Sequence, residues 1–266
     1  MPTVLGIDAA WTAKEPSGVA LIRKCGRTWE AIAVAPSYAA FVASAAGTGT
    51  NWSTSAAGSA PDVDALLGAA RKLSGEDVCI VAIDMPIATV PFCQRRSADQ
   101  AVSKAYGARG CSAHSPGIQR PGPLGAELSS RFAELGYPIA TAQTLPGAPQ
   151  HLLEVYPHPA LLTLLNRTYR VPYKVSKSGK YWKGTTIAAR VASLLLEFAV
   201  ILAAVRTRIE GVDLTLPSPD SVTTLAELKR FEDALDALVC CWVGASYLAG
   251  HARPLGDHTS AIWCPN

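Results

Sequence analysis

The same pattern occurs twice in this chain, in VLGID at residues 4–8 and in VCIVAID at residues 78–84, where an apolar run ends in an aspartate. Short apolar runs rich in β-branched residues predict buried strands. Pro86 comes two residues after Asp84 and cannot continue a central strand, because it lacks the N–H that a sheet requires. Asp8 and Asp84 are therefore predicted to lie at strand ends.

A third acidic site lies near the other end of the chain, in EDALDAL at residues 232–238. The spacing of its apolar residues predicts a helix, and residues three apart on a helix point to the same side. Asp233 and Asp236 are therefore expected next to the buried seam of a largely apolar helix, whereas Glu232 is expected to face solvent.

Length and composition limit the class of protein. The chain has 266 residues and a net charge of +3, so a large core is expected and any nucleic-acid site must be local. Its seven cysteines have no CxxC spacing, which favours buried reduced thiols and a cytoplasmic protein.

No membrane association or secretion is expected from the apolar segments. The longest of them, residues 191–205, contains Glu197 and is too short to span a bilayer of about 30 Å. It is interpreted as a core helix. No secretion signal is expected either, since residues 1–3 lead directly into the first predicted strand.

The predicted order of elements indicates the fold class. Strands at 4–8, 18–22 and 29–34 are joined by short links, as in an antiparallel meander. A helix at 62–73 and the strand ending at Asp84 follow. This is the opening order of an RNase H-like α/β domain, a mixed sheet of three antiparallel strands and then parallel strands, flanked by helices.

The rest of the chain completes a single domain, residues 1–266, with a predicted insertion or lid at about 91–150 that contains a helix near 124–135. The remaining predicted elements are a strand at 151–156, a short helix that ends at 165, long helices at 185–209 and 225–248, and a final edge strand at 260–264.

Carboxylates grouped in this way can bind two divalent cations about 3.5–4 Å apart for phosphodiester cleavage. Oxygen-only ligands select Mg²⁺ or Mn²⁺. The alternative is that Asp8 and Asp84 only end their strands as turn residues, while Asp233 and Asp236 lie on a solvated helix face.

Four sequence blocks resemble a known family: LGID at 5–8, AIDMP at 82–86, EVYPHP at 154–159 and DALDALV at 233–239. They look like the signature blocks of a bacterial and archaeal domain family of unknown function described as predicted RNase H-like nucleases. The last block is also similar to the closing helix of Holliday-junction resolvases, which carries two acids three residues apart. The resemblance implies that the metal ligands are Asp8, Asp84, Asp233 and Asp236.

Two residues of the third block have open roles. Glu154 is a candidate catalytic residue that joins the metal cluster or contacts substrate, or it is a carboxylate that caps the turn formed by residues 157–159. His158 is a candidate substrate contact and proton shuttle, although a lone histidine in a turn is more often a hydrogen-bonded structural residue.

Residues 167–183 contain six basic residues, four aromatic residues and no acid. Cations neutralise phosphates and aromatic faces stack bases, so this segment is the best candidate for nucleic-acid contact, with a solvated basic loop as the alternative. Basic residues of the insertion form a second cluster. The predicted substrate contacts besides His158 are Arg95, Arg96, Arg109, Lys174, Lys177, Lys180, Tyr181 and Trp182.

Two other functions compete with a nuclease. Sugar kinases and actin-like ATPases share the core fold, but a small Gly/Thr-rich turn follows their first aspartate, whereas Trp11 lies close behind Asp8 here and would crowd a nucleotide phosphate. A non-catalytic binding module of the same fold would gain nothing from four clustered acids unless metal were bound. The sequence therefore favours a nuclease.

Overall fold

The computed structural model describes residues 1–92, 94–117 and 119–266. Over these residues the chain forms one seven-stranded sheet flanked by eight α-helices. The strands are β1 Thr3–Asp8, β2 Gly18–Cys25, β3 Thr28–Ala35, β4 Ile80–Ile83, β5 His151–Val155, β6 Ala252–Gly256 and β7 Ala261–Pro265. The helices are α1 Tyr38–Ser44, α2 Val63–Ser74, α3 Ser97–Tyr106, α4 Leu124–Glu134, α5 Pro157–Leu164, α6 Ser178–Tyr181, α7 Ile187–Arg206 and α8 Lys229–Leu248.

The strands lie in the order β3-β2-β1-β4-β5-β7-β6. The first three strands are antiparallel, β4, β5 and β7 extend the sheet in parallel from β1, and β6 returns antiparallel to β7. This mixed α/β sheet is the one predicted from the sequence, and it is consistent with an RNase H-like fold.

Side chains along each strand point alternately to the two faces of the sheet, and a hydrophobic core forms on each face. Val4 and Ala20 belong to a cluster that includes the buried faces of α7 and α8. Leu5 and Leu21, the next residues along the same strands, belong to a cluster with α1 and α2. Successive side chains of a strand point to opposite faces, so the sheet is the middle of three layers.

Local signals set several helix ends. The Asp62 carboxylate accepts a hydrogen bond from the Ala65 N–H at 3.0 Å, and Gly75, with φ of 74°, follows the last residue of α2. These are the N-cap and left-handed C-terminal residue that stabilise helix ends.

The predicted helix at 225–248 is a short 3₁₀ turn at Leu225–Leu228 followed by α8.

Three predictions need correction. The strand predicted at 260–264 is not an edge strand, because β7 lies between β5 and the unpredicted edge strand β6. The 91–150 region also contains α3, which packs against β6 and β7. Residues 157–159 form the first turn of α5 rather than a separate turn. Proline is favoured at that helix position because its missing N–H would be unpaired there anyway.

Helix α7 is long and apolar enough to cross a membrane, and it alone meets that description among the described residues. One of its faces packs into the core through Val191, Leu194 and Phe198. Leu196, on another face, is 70% exposed. The predicted core helix therefore buries one face only.

The six cysteines that the structure describes are free thiols. Four of them are buried, as predicted, whereas Cys25 and Cys79 are partly exposed; the buried ones are Cys111, Cys240, Cys241 and Cys264. Cys93 lies outside the described residues.

Candidate carboxylate site

The two strand-end aspartates lie at the same edge of the sheet. Strands β1 and β4 are parallel with Ile7 opposite Ile83, so Asp8 and Asp84 follow at adjacent carboxyl ends. The Asp84 N–H donates to the Ile7 carbonyl at 2.9 Å. Both side chains line a cavity of about 610 Å³, called the central cavity below.

Helix α8 adds Asp233 to this cavity. Gly18 lies opposite Asp8 on β2, and a Cβ atom at Gly18 would overlap the backbone carbonyl of Asp233. Only glycine permits this close approach of the helix to the sheet. Asp8, Asp84 and Asp233 therefore line the same cavity.

The two side-chain oxygens of Asp233 differ in their partners. The side chain is 2% exposed. Its Oδ1 accepts a hydrogen bond from the Lys229 ammonium, whereas its Oδ2 is buried without a hydrogen-bond partner in the part of the chain that the structure describes. A buried carboxylate oxygen without a partner is costly, so this atom marks a place where a cation or donor would be stabilising.

Asp236 lies behind the cavity wall. Its Oδ1 accepts a hydrogen bond from the Tyr173 hydroxyl at 2.7 Å, and its Oδ2 accepts one from the Lys174 ammonium. The two helix acids predicted to act together are thus in different surroundings. Asp233 lines the central cavity, and Asp236 is held by Tyr173 and Lys174.

The prediction that Glu232 faces solvent is wrong, because Glu232 is 1% exposed. Its Oε2 accepts a hydrogen bond from the Val175 N–H at 2.6 Å. Its Oε1 lies 3.3 Å from the Lys174 ammonium and 3.0 Å from that of Lys229. Residues 173–175, called the 173–175 clamp below, cover this face of α8.

Glu154 also lines the central cavity, but its charge is paired. Both of its oxygens accept hydrogen bonds from the Arg96 guanidinium at 2.6 Å. Arg96 further donates to Asp99 at 2.7 and 3.2 Å and to the Ile87 carbonyl at 2.5 Å. These bonds use all five guanidinium N–H groups, so this geometry favours structural roles for Arg96 and Glu154.

Burial and mutual repulsion disfavour the charged forms of the acids. Burial raises the pKa of Asp84 well above its ordinary value, and the charge of Asp8 adds to this. Burial also raises the pKa of Asp233 well above its ordinary value. It raises that of Asp236 to about 6, against the opposing effect of Lys174. Carboxylates in such surroundings are stabilised by a nearby cation.

The oxygen atoms of Asp8, Asp84 and Asp233 are suitable ligands for a divalent cation, but the three side chains are not arranged as a finished metal site. Among residues 1–92, 94–117 and 119–266, no three acidic, histidine or cysteine side chains already lie close enough together to hold a metal ion. Oxygen ligands suit Mg²⁺ or Mn²⁺, and the unpartnered Oδ2 of Asp233 supports one ion held with Asp8 and Asp84. Two ions and four ligands stay a prediction.

Two of the residues predicted to contact substrate, Arg95 and Arg109, form hydrogen bonds within the protein instead. Arg95 donates to the Ser115 hydroxyl at 2.9 Å. Arg109 donates to the backbone carbonyls of Arg167 and Thr168 at 2.6 and 3.1 Å. Both guanidinium groups therefore hold the 91–150 region in place and are partly committed within the protein.

The other predicted contacts differ in position. Lys177 lines the central cavity, and Lys180 is exposed. Tyr181 and Trp182 are half-buried and pack edge to face, with ring centroids 5.7 Å apart. Of these four, Lys177 and Lys180 have the positions best suited to bind a phosphate.

His158 is buried and contacts Arg170, which the sequence pattern alone does not single out. The Arg170 guanidinium donates to His158 Nε2, since arginine remains protonated and the ring nitrogen must accept. Burial lowers the pKa of His158 well below its ordinary value, and the charge of Arg170 acts in the same direction. His158 therefore orients Arg170 at the cavity and is poorly suited to carry a proton through Nε2.

Lys229 also lines the cavity and is not among the residues that the sequence pattern indicates. It lies four residues before Asp233 on α8, a spacing at which opposite charges meet on a helix. The four-residue spacing between Lys229 and Asp233 is therefore the feature of the sequence from which this ion pair could be predicted.

Comparisons with known proteins give one match. The model of a family described as "protein of unknown function (DUF429)" matches residues 6–261. Neither the curated proteins nor the solved structures provide a match.

Proposed function

This chain belongs to the family described as protein of unknown function (DUF429), and we propose that it is a metal-dependent nuclease that hydrolyses phosphodiester bonds in DNA or RNA. The observation that supports this most is that Asp8, Asp84 and Asp233 line one cavity, where a buried Asp233 oxygen has no partner among the described residues. The resemblance of four sequence blocks to predicted RNase H-like nucleases supports the same reaction.

The cavity offers a different role to each group of residues. Asp8, Asp84 and Asp233 would hold Mg²⁺ or Mn²⁺. Such an ion supplies positive charge that favours attack by water and stabilises the leaving oxygen. Arg170 and Lys177 line the same cavity, where they would attract and orient the phosphate.

Two residues that line the cavity, Trp11 and Arg120, disfavour a kinase-like function. Trp11 lines the cavity, and the Arg120 guanidinium lies over its ring, 5.9 Å from the centroid. An indole with a cation on its face occupies the place where an actin-like ATPase has a small turn for nucleotide phosphates. The same pair would suit an unstacked base, since bases stack on aromatic and guanidinium groups.

The direct test is cleavage of labelled single-stranded, double-stranded and branched DNA and RNA in Mn²⁺ or Mg²⁺. We expect the wild-type protein to cleave at least one substrate, EDTA to abolish cleavage, and the Asp8→Asn and Asp233→Asn variants to lose it. Asp64→Asn is the matched control, because Asp64 is an exposed acid that pairs with Arg131, and it should cleave as the wild type does. Absence of cleavage for every substrate, or equal cleavage by Asp8→Asn, would refute the proposal.

A further inference from the structure

The 173–175 clamp satisfies two of the helix acids atom by atom. The Tyr173 hydroxyl and the Lys174 ammonium bind the two oxygens of Asp236. The Val175 N–H binds one oxygen of Glu232, and lysine ammoniums contact the other. All four oxygens of Asp236 and Glu232 therefore have partners from the protein itself.

The two lysines of the site differ in how easily a cation could displace them. The Lys174 side chain is 16% exposed and lies between the buried Glu232 and Asp236. The Lys229 side chain is 45% exposed, so water can solvate its ammonium when a cation replaces it at Asp233. The Lys229 ion pair with Asp233 is the weaker barrier to metal binding, whereas Lys174 is part of the buried structure.

The Lys174 ammonium also has the right chemistry to act as a fixed cation. An ammonium is a compact point charge with three donors, and Lys174 uses donors on Asp236 and Glu232 while it also lines the central cavity. Its charge is therefore presented to whatever phosphate enters the cavity. Asp8, Asp84 and Asp233 also line the cavity, and among the described residues none of them pairs with Lys174.

We propose that this site holds one divalent cation, bound by Asp8, Asp84 and Asp233, and that the Lys174 ammonium takes the place of a second cation at Asp236 and Glu232. This inference rests on the proposed metal-dependent function and deepens it. Asp236 is then a positioning residue for Lys174 rather than a metal ligand.

The number of bound ions tests this directly. Free Mn²⁺ is measured by its electron paramagnetic resonance signal while each purified protein is titrated, and circular dichroism checks that each variant is folded. We expect one Mn²⁺ per wild-type chain, none for Asp8→Asn, and one for Asp236→Asn, whose side-chain carbonyl can still accept the Tyr173 hydrogen bond. Lys72→Met is the control for loss of a lysine, because Lys72 is exposed on α2 outside the cavity lining, and it should bind one.

The Lys174→Met variant provides a second test, because removing the ammonium leaves Asp236 and Glu232 open to a cation. We expect it to bind one additional Mn²⁺, and a folded variant that still binds one would overturn the proposal. Two ions per wild-type chain would also overturn it while leaving the metal-dependent function intact. No bound ion in the wild type would instead remove the basis of the proposed function itself.

Discussion

Replacement of Arg96 by methionine is expected to destabilise the protein strongly. The Arg96, Asp99 and Glu154 side chains are between 1% and 5% exposed, and Arg96 carries the only charge partner that either acid has among the described residues. The substitution would leave two buried carboxylates unpaired. The same guanidinium binds the Ile87 carbonyl, and Glu154 binds the Ile87 N–H at 3.0 Å, so the segment after Asp84 would also loosen.

The expected size follows from that geometry. Breaking a buried ion pair by removing one partner costs about 3–5 kcal/mol of unfolding free energy. For a chain of this size the corresponding fall in Tm is about 6–20 °C. The Arg96→Met, Glu154→Leu double variant should recover part of the loss, because one of the two unpaired carboxylates is then absent.

Urea denaturation followed by circular dichroism measures this effect, with Arg131→Met as the control. Arg131 also binds two acids, Asp64 at 2.7 and 2.9 Å and Glu134 at 2.7 Å, but these partners are exposed. A much smaller loss is expected there, since water solvates the freed carboxylates. Equal losses for the two arginine variants would mean that burial of the acids does not set the cost of removing their arginine partner.

Three further perturbations have defined outcomes. Gly18→Ala should lower the free energy of unfolding by about 1–3 kcal/mol in urea denaturation and weaken Mn²⁺ binding, because its Cβ would displace Asp233. Gly49→Ala is the control, since Gly49 has open space around it, and it should change neither quantity. The pKa of His158 is lowered in the native protein, so below about pH 6.5 the unfolded chain binds a proton at this residue and the native chain does not. The free energy of unfolding therefore falls with decreasing pH, by up to about 1.4 kcal/mol per pH unit. His158→Gln should reduce this slope. Lys180→Ala should weaken binding of labelled nucleic acid in fluorescence anisotropy for every sequence and lower the salt slope by about one.

Each of these outcomes can fail in a specific way. Wild-type stability and Mn²⁺ affinity in Gly18→Ala would contradict the close approach of α8 to the sheet. An unchanged pH slope in His158→Gln would mean that His158 is protonated in the native protein. An unchanged affinity and salt slope in Lys180→Ala would place the nucleic acid elsewhere.

The elements that carry Asp8 and Asp84 could be predicted because their signals are local. Each aspartate follows a run of buried apolar residues, and the parallel pairing of β1 with β4 brings the two strand ends together. The antiparallel strands and the long helices were predicted for the same reason. Strand β6 was missed because its sequence, ARPLG, is short and contains a proline, so that only pairing with β7 reveals it.

The surroundings of the helix acids could not be predicted from the helix alone. Periodicity places Glu232, Asp233 and Asp236 near one another, but the residues that cover Glu232 and Asp236 belong to the 173–175 clamp, more than 50 positions earlier in the chain. The Arg96 pairing with Glu154 is likewise formed by the tertiary fold. Sequence patterns located the acids, whereas their partners depend on how distant segments pack.

An anomalous-scattering map from crystals of this protein soaked in Mn²⁺ would show directly whether the three cavity aspartates hold a metal ion. We expect a manganese peak within ligand distance of the carboxylates of Asp8, Asp84 and Asp233, and loss of that peak in Asp8→Asn crystals. A map with no peak between these three side chains, at Mn²⁺ concentrations that support cleavage, would contradict this expectation.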